Sequence, residues 1–146
     1  MGCPFIGEVG GGFPSPAEGW RERALDISEL LQDHREATFY MVVWGDSMQG
    51  AGIADGDLVV VDRALEAQNE SIIIALVNDG FLVKRYTQRE DGAVILYSAH
   101  PRFPPLPIMP QATFEVWGVV TYVVRSLRPG SSLRARLQRW GRREEP

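Results

Sequence analysis

Apolar residues along this chain follow a helical period only near its two ends and a strand period between them. In Leu25–Asp33 (LDISELLQD), Ile27, Leu30 and Leu31 recur at helical spacing, and Asp26 with Glu29 makes a capping-box-like start. One short helix is predicted there. From Phe39 onward the pattern changes to short apolar runs rich in aromatic and β-branched residues, separated by turn signals. Phe39–Trp44, Leu58–Val61, Ser71–Asn78, Phe81–Tyr86 and Ala93–Ser98 read as strands, and Phe114–Val124 as a last long strand or a bent pair. Gly45-Asp46-Ser47-Met48 and Gly50-Ala51-Gly52 break the pattern, Asp55-Gly56-Asp57 is a turn, and Asn78-Asp79-Gly80 is a tight hairpin. Residues 101–110 hold five of the ten prolines, which argues against regular structure there. The expected fold is mainly β: a curled, partly closed sheet with a short N-terminal helix and a further helix at the C-terminal end.

The two ends differ in kind from the body. Residues 1–12 contain five glycines and no periodicity, and read as a mobile arm. Phe13-Pro14-Ser15-Pro16 reads as extended, because each proline keeps the residue before it out of the helical region. After Pro129-Gly130, Ser131 or Ser132 can cap a helix starting at Leu133. Leu133, Leu137 and Trp140 share one face of it, with Arg134, Arg136 and Arg139 around them. Such a helix either docks on its own body, on a partner or on an anionic surface, or frays. The chain thus divides into an arm (1–12), a body (13–128) and a basic tail (129–146).

At 146 residues the chain suits one core. The longest strongly apolar run, Ile72–Val77, is far short of the roughly 20 residues that a membrane-crossing helix needs. The N-terminus lacks the basic and apolar regions of a signal peptide, so a cytoplasmic protein is expected. One cysteine, Cys3, rules out an internal disulfide and a multi-cysteine zinc site. His34 and His100 read as structural, and neither a metal nor a cofactor is expected.

Charge sharpens this picture. The whole chain carries 15 Lys+Arg against 19 Asp+Glu. Residues 129–146 hold five of those cations and two of the anions, so the body is strongly acidic and the tail basic. An acidic body argues against broad nucleic-acid binding. Fourteen of the cations are arginine and one is lysine, Lys84. Arginine does not lose its proton in a protein, whereas a desolvated lysine does.

Lys84 lies in Phe81-Leu82-Val83-Lys84-Arg85-Tyr86 and, on a strand, shares a face with Leu82 and Tyr86. On an apolar face it loses hydration, which lowers its pKa. A neutral amine can take the proton of a serine hydroxyl, and Ser47 stands between a strand and a glycine-rich turn. The plain alternatives are a snorkelling lysine at a strand edge and a serine that merely caps a turn.

Gly45-Asp46-Ser47-Met48, then Gly52-Ile53-Ala54-Asp55-Gly56-Asp57-Leu58, then Phe81-Leu82-Val83-Lys84-Arg85 resembles the LexA/UmuD/signal-peptidase group of serine–lysine peptidases. The 37-residue interval from Ser47 to Lys84 fits that group. Gly12-Phe13-Pro14-Ser15-Pro16 is similar to the segment just after the self-cleavage bond of its UmuD-like members, and Gly118-Val119-Val120 with Val123-Val124 is similar to their C-terminal strand. The resemblance runs from about Gly12 to Leu127. It implies Ser47 as nucleophile, Lys84 as general base, and the backbone N–H groups of Asp46 and Ser47 as oxyanion hole. It places the scissile bond at Gly11–Gly12, where family members have Cys-Gly or Ala-Gly, or one residue away at Gly10–Gly11.

What it implies for function is a self-cleaving accessory subunit of an error-prone translesion DNA polymerase in the SOS DNA-damage response. The implied partners are a second copy in a homodimer, the RecA–single-stranded DNA filament as stimulator, and a UmuC-type polymerase subunit. Sequence-specific DNA binding is not implied. A LexA-like repressor needs a DNA-reading module, and the 46 residues ahead of Ser47, with their glycine arm and prolines, do not read as one. A signal-peptidase-like enzyme needs a membrane anchor, and none is read. A non-catalytic interaction module remains the third alternative.

Overall fold

A computed structural model describes residues 2–11 and 23–143. The chain forms two compact units, residues 1–33 and 34–146. In the first, strand β1 (Cys3–Phe5) pairs antiparallel with β2 (Arg23–Leu25). The one-turn helix α1 (Ile27–Leu30) follows, capped by the Asp26 carboxylate, which accepts from the Ser28 N–H at 3.0 Å.

Both features depart from the sequence reading. The pairing of residues 3–5 with residues 23–25 is long-range, so no local periodicity announces it. The helix is shorter than Leu25–Asp33 because Leu25 belongs to β2, and Asp26 caps mainly through Ser28, with a weaker contribution from the Glu29 N–H. The expected extended segment at residues 13–16 lies outside the described residues.

The second unit is a seven-stranded antiparallel sheet, with β3 (Thr38–Val42), β4 (Leu58–Asp62), β5 (Ile72–Val77), β6 (Gly80–Gln88), β7 (Val94–Tyr97), β8 (Leu106–Pro107) and β9 (Phe114–Val124) in the order β3-β4-β9-β5-β6-β7-β8. The mainly-β expectation is met, and the sheet stays open, with β3 and β8 at its two edges. β9 is one continuous strand that lies between β4 and β5, with a register shift against each. β8 falls in the proline-rich stretch expected to be irregular. Pro107 is tolerated there because an edge strand has one side that needs no donor. Helix α2 (Leu133–Arg143) starts where expected, with the Ser132 hydroxyl accepting from the Ala135 N–H at 3.3 Å.

The core explains why Ile72–Val77 is apolar without alternation. Ile74 joins Val43, Met48, Ile53, Val59 and Val61 in one buried cluster, while its neighbour Ile73 joins Ala75, Leu96 and Val119 in another. Successive strand residues point to opposite faces, so β5 is covered on both sides. The β5–β6 hairpin turns through Asn78 and Asp79, both at positive φ, as a two-residue turn matched to strand twist requires.

Between β3 and β4 the chain leaves the sheet as one loop, residues 43–57. Gly45 takes a positive φ of 91° to start it, and its N–H donates to the Asp55 carboxylate at 2.7 Å. Val43 and the 56–57 turn close the base, with Val43 N–H to Asp57 O at 2.9 Å and Gly56 N–H to Val43 O at 2.7 Å. Met48 and Ile53, each 1% exposed, plug the loop into the first cluster. The loop is therefore anchored by its middle as well as by its ends.

Candidate active site

Ser47 sits on this anchored loop, and the segment after β7 holds it from the other side. The Ser47 carbonyl accepts from the Ala99 N–H at 2.8 Å, and the Gly50 N–H donates to the Ala99 carbonyl at 2.7 Å. Gly50 is required at that contact, since a Cβ there would stand 2.7 Å from the Ala99 oxygen. Among the described residues neither the Asp46 nor the Ser47 N–H makes a hydrogen bond.

Lys84 is the second expected residue, and the fold brings it to the same place. Ser47, Asp46 and Lys84 all line an open pocket of about 590 Å³. Its other walls are mostly apolar, with Trp44, Phe81, Leu82 and Phe103 among them. Burial lowers the Lys84 pKa from the ordinary lysine value. No ion pair involving Lys84 is found among the described residues. Its Nζ lies 5.5 Å from the centre of the Phe103 ring and donates to the Ser98 hydroxyl at 2.6 Å.

Ser98 is a residue that the sequence reading did not single out. It follows the last residue of β7, and the register that pairs Arg85 with Tyr97 sets Ser98 directly opposite Lys84. Cross-strand partners on one face have Cβ atoms about 5 Å apart, which suits a lysine reaching a serine. The signal was present in the spacing of the β6–β7 hairpin, but only a known register makes it readable.

The two histidines separate. His34 Nδ1 and Asp62 Oδ2 are 2.7 Å apart, at the base of β4. Burial pushes the Asp62 carboxyl up, but the His34 bond and the Ala64 N–H outweigh it and hold it below the ordinary value. His100 stands nearer the pocket. Its Nε2 is 3.6 Å from Asp46 Oδ2, its Nδ1 accepts from the Arg102 N–H at 3.1 Å, and its ring packs edge-on to Phe103. Its contacts run to the neighbour of Ser47, which fits a supporting part.

Gly11 is exposed in the first unit, and Gly12 lies outside the described residues, so the bond between them has no described geometry. Cys3 is free and exposed. Among the described residues no cluster of three or more metal-ligating side chains occurs, and no helix is long and apolar enough to cross a membrane.

Comparison with known proteins points the same way as the geometry. The family described as Peptidase S24-like matches residues 4–121. Protein MucA of Salmonella typhimurium is 38% identical over 119 residues, which cover 81% of this chain and 80% of that protein. Protein ImpA of Shigella flexneri is 38% identical over 124 residues, covering 85% and 83%. The LexA repressor of Cupriavidus pinatubonensis is 36% identical over 124 residues, which cover 84% of this chain and 56% of the repressor.

Proposed function

The chain belongs to the S24-like peptidase family, and from that we propose that it is a UmuD-like serine peptidase that cuts its own N-terminal arm. The observation that supports this most is the shared pocket: Ser47 and the partly buried Lys84 open onto one cavity. Neutral Lys84 takes the Ser47 proton as Oγ attacks the Gly11 carbonyl carbon. The Asp46 and Ser47 N–H groups receive the oxyanion. Lys84 returns the proton to the Gly12 nitrogen as that bond breaks, and then activates a water that releases the Gly11 ester. A glycine before the bond suits a site that admits a small side chain, and a tethered substrate has a high effective concentration.

The wider role we propose is that of an accessory subunit of a translesion polymerase in the SOS response. A homodimer would lose its arm under stimulation by the RecA–single-stranded DNA filament and then support a UmuC-type subunit. The identity to MucA and ImpA along most of each chain is consistent with this UmuD-like reading. The alternative, a non-catalytic interaction module, leaves the desolvation of Lys84 without a use.

The test is a time course of intact mass across pH. Only neutral Lys84 is a base, and burial lowers its pKa, so self-cleavage is expected to rise with pH and level off below the ordinary lysine value of about 10.4. The product should lack residues 1–11, or 1–10 if the neighbouring bond is used. A chain whose mass stays intact at every pH, with or without the filament, refutes the reading.

Ser98→Ala tests the geometry around the base. Without the hydroxyl, Nζ is free to swing toward Phe103, so the plateau rate is expected to fall about tenfold while Ser98→Thr retains most of it. Rate constants from the same mass assay decide this.

A further inference from the structure

Helix α2 reaches the loop that holds Ser47 through one side chain, Arg134. The Arg134 guanidinium donates to both Asp55 carboxylate oxygens, at 3.1 and 3.0 Å, and its Nη2 also donates to the Val43 carbonyl at 3.0 Å. Those acceptors are the two feet of the loop. Val43 is its first residue, and its carbonyl also takes the Gly56 N–H. Asp55 holds the Gly45 N–H, at the turn two residues before Ser47. One side chain from the tail therefore ties both arms of the loop at its base, using a planar fork that lysine does not have.

We propose that α2 is a latch on the nucleophile loop, closed by Arg134 on Val43 and Asp55, and that the latch sets the rate of self-cleavage. This rests on the self-cleavage reading for its rate effect, but not for its effect on the loop. Arg134 is a positioning residue: it touches neither Ser47 nor Lys84, and acts through Asp55 and Gly45 on where the serine stands. Arg134 lies beyond residue 121, where the family match ends, while Val43 and Asp55 lie within it.

The pair is half exposed, with Arg134 and Asp55 side chains 36% and 54% accessible, so the expected effect is moderate. Arg134→Ala in the full chain is expected to slow self-cleavage about fivefold at the high-pH plateau. The final extent of cutting and the pH of half-maximal rate should not change, because the base is untouched. Arg134→Lys should recover part of the rate, and Arg139→Ala, which removes the same charge from the same helix, none should be lost. Asp55→Asn should also slow cutting, and the double variant should be no slower than the worse single one.

Hydrogen exchange gives a second readout that needs no cutting. In the Ser47→Ala background, Arg134→Ala should speed exchange of the 43–57 segment about fivefold and leave β5 and β6 unchanged. Unchanged exchange in that segment, an unchanged cleavage rate, or equal slowing by Arg139→Ala overturns the latch. Faster loop exchange in a chain that never cuts itself supports the latch and removes the self-cleavage reading instead.

Discussion

Lys84→Met is expected to stop self-cleavage at every pH and, near neutrality, to make the folded chain more stable than the wild type. Both effects come from one feature, the burial that lowers the lysine pKa. Methionine fills the space of the lysine stem but offers no base, so Ser47 keeps its proton. The expected loss is at least a thousandfold, to the limit of a mass assay. Lys84→Arg should be equally inactive, because a guanidinium keeps its proton. Ser47→Ala should match both in activity, having no nucleophile. The stability change has the opposite sign. The native lysine has the lower pKa, so between that value and about 10.4 the unfolded chain binds more protons, and wild-type stability climbs with pH. Below that window the fold bears the full cost of a desolvated ammonium. Lys84→Met removes this cost, and because the lysine is only partly buried the expected rise in melting temperature is small. The gain should shrink as pH rises through the window. A methionine variant that still loses its arm would remove Lys84 from the chemistry, and one that melts lower at neutral pH would show that the lysine stabilises the site.

Most of the sheet was legible because its strands are local patterns. Leu58–Val61 and Phe114–Val124 appear where short β-branched runs end at turn residues, and Asn78-Asp79-Gly80 makes the hairpin its residues demand. What stayed hidden was set by partners distant in sequence. Cys3–Phe5 is a strand through residues 23–25, Leu106–Pro107 is a strand through β7, and Ser98 meets Lys84 only once the β6–β7 register is fixed. Ser47 and Lys84 were legible as a motif with a fixed interval, and the fold adds that they share a pocket. Docking of α2 on its own body was one of several fates that its amphipathic pattern left open, and nothing local in the sequence pairs Arg134 with Asp55.

The largest expected loss of stability is at Arg125, at the end of β9. Its Nε and Nη2 donate to the two Asp57 carboxylate oxygens at 2.7 and 2.6 Å, and Nη2 also reaches the Gly52 carbonyl at 2.8 Å. Asp57 is 1% exposed, and its other donor is the Ala54 N–H at 2.7 Å. Burial pushes this carboxyl up, but the Arg125 bonds, the Ala54 N–H and the Arg125 charge outweigh it and hold it below the ordinary value. Arg125→Ala leaves a buried carboxylate with one donor and is expected to lower the melting point by several degrees. Adding Asp57→Asn should restore part of that, because the neutral amide still accepts from Ala54 and carries no unpaired charge. The acid dependence identifies the cause. In the wild type the pair stabilises fully above about pH 3.9, and its contribution fades as pH falls through the lower native value. In Arg125→Ala the carboxyl gains by protonating, so the difference between variant and wild type should narrow on acidification. A difference that stays constant down to acid pH would trace the loss to the guanidinium's contact with Gly52 instead. Arg125 and Arg134 hold the same loop from one end of the chain, but the first grips a buried carboxylate and the second an exposed one. The first is therefore expected to appear mainly in melting and the second mainly in rate.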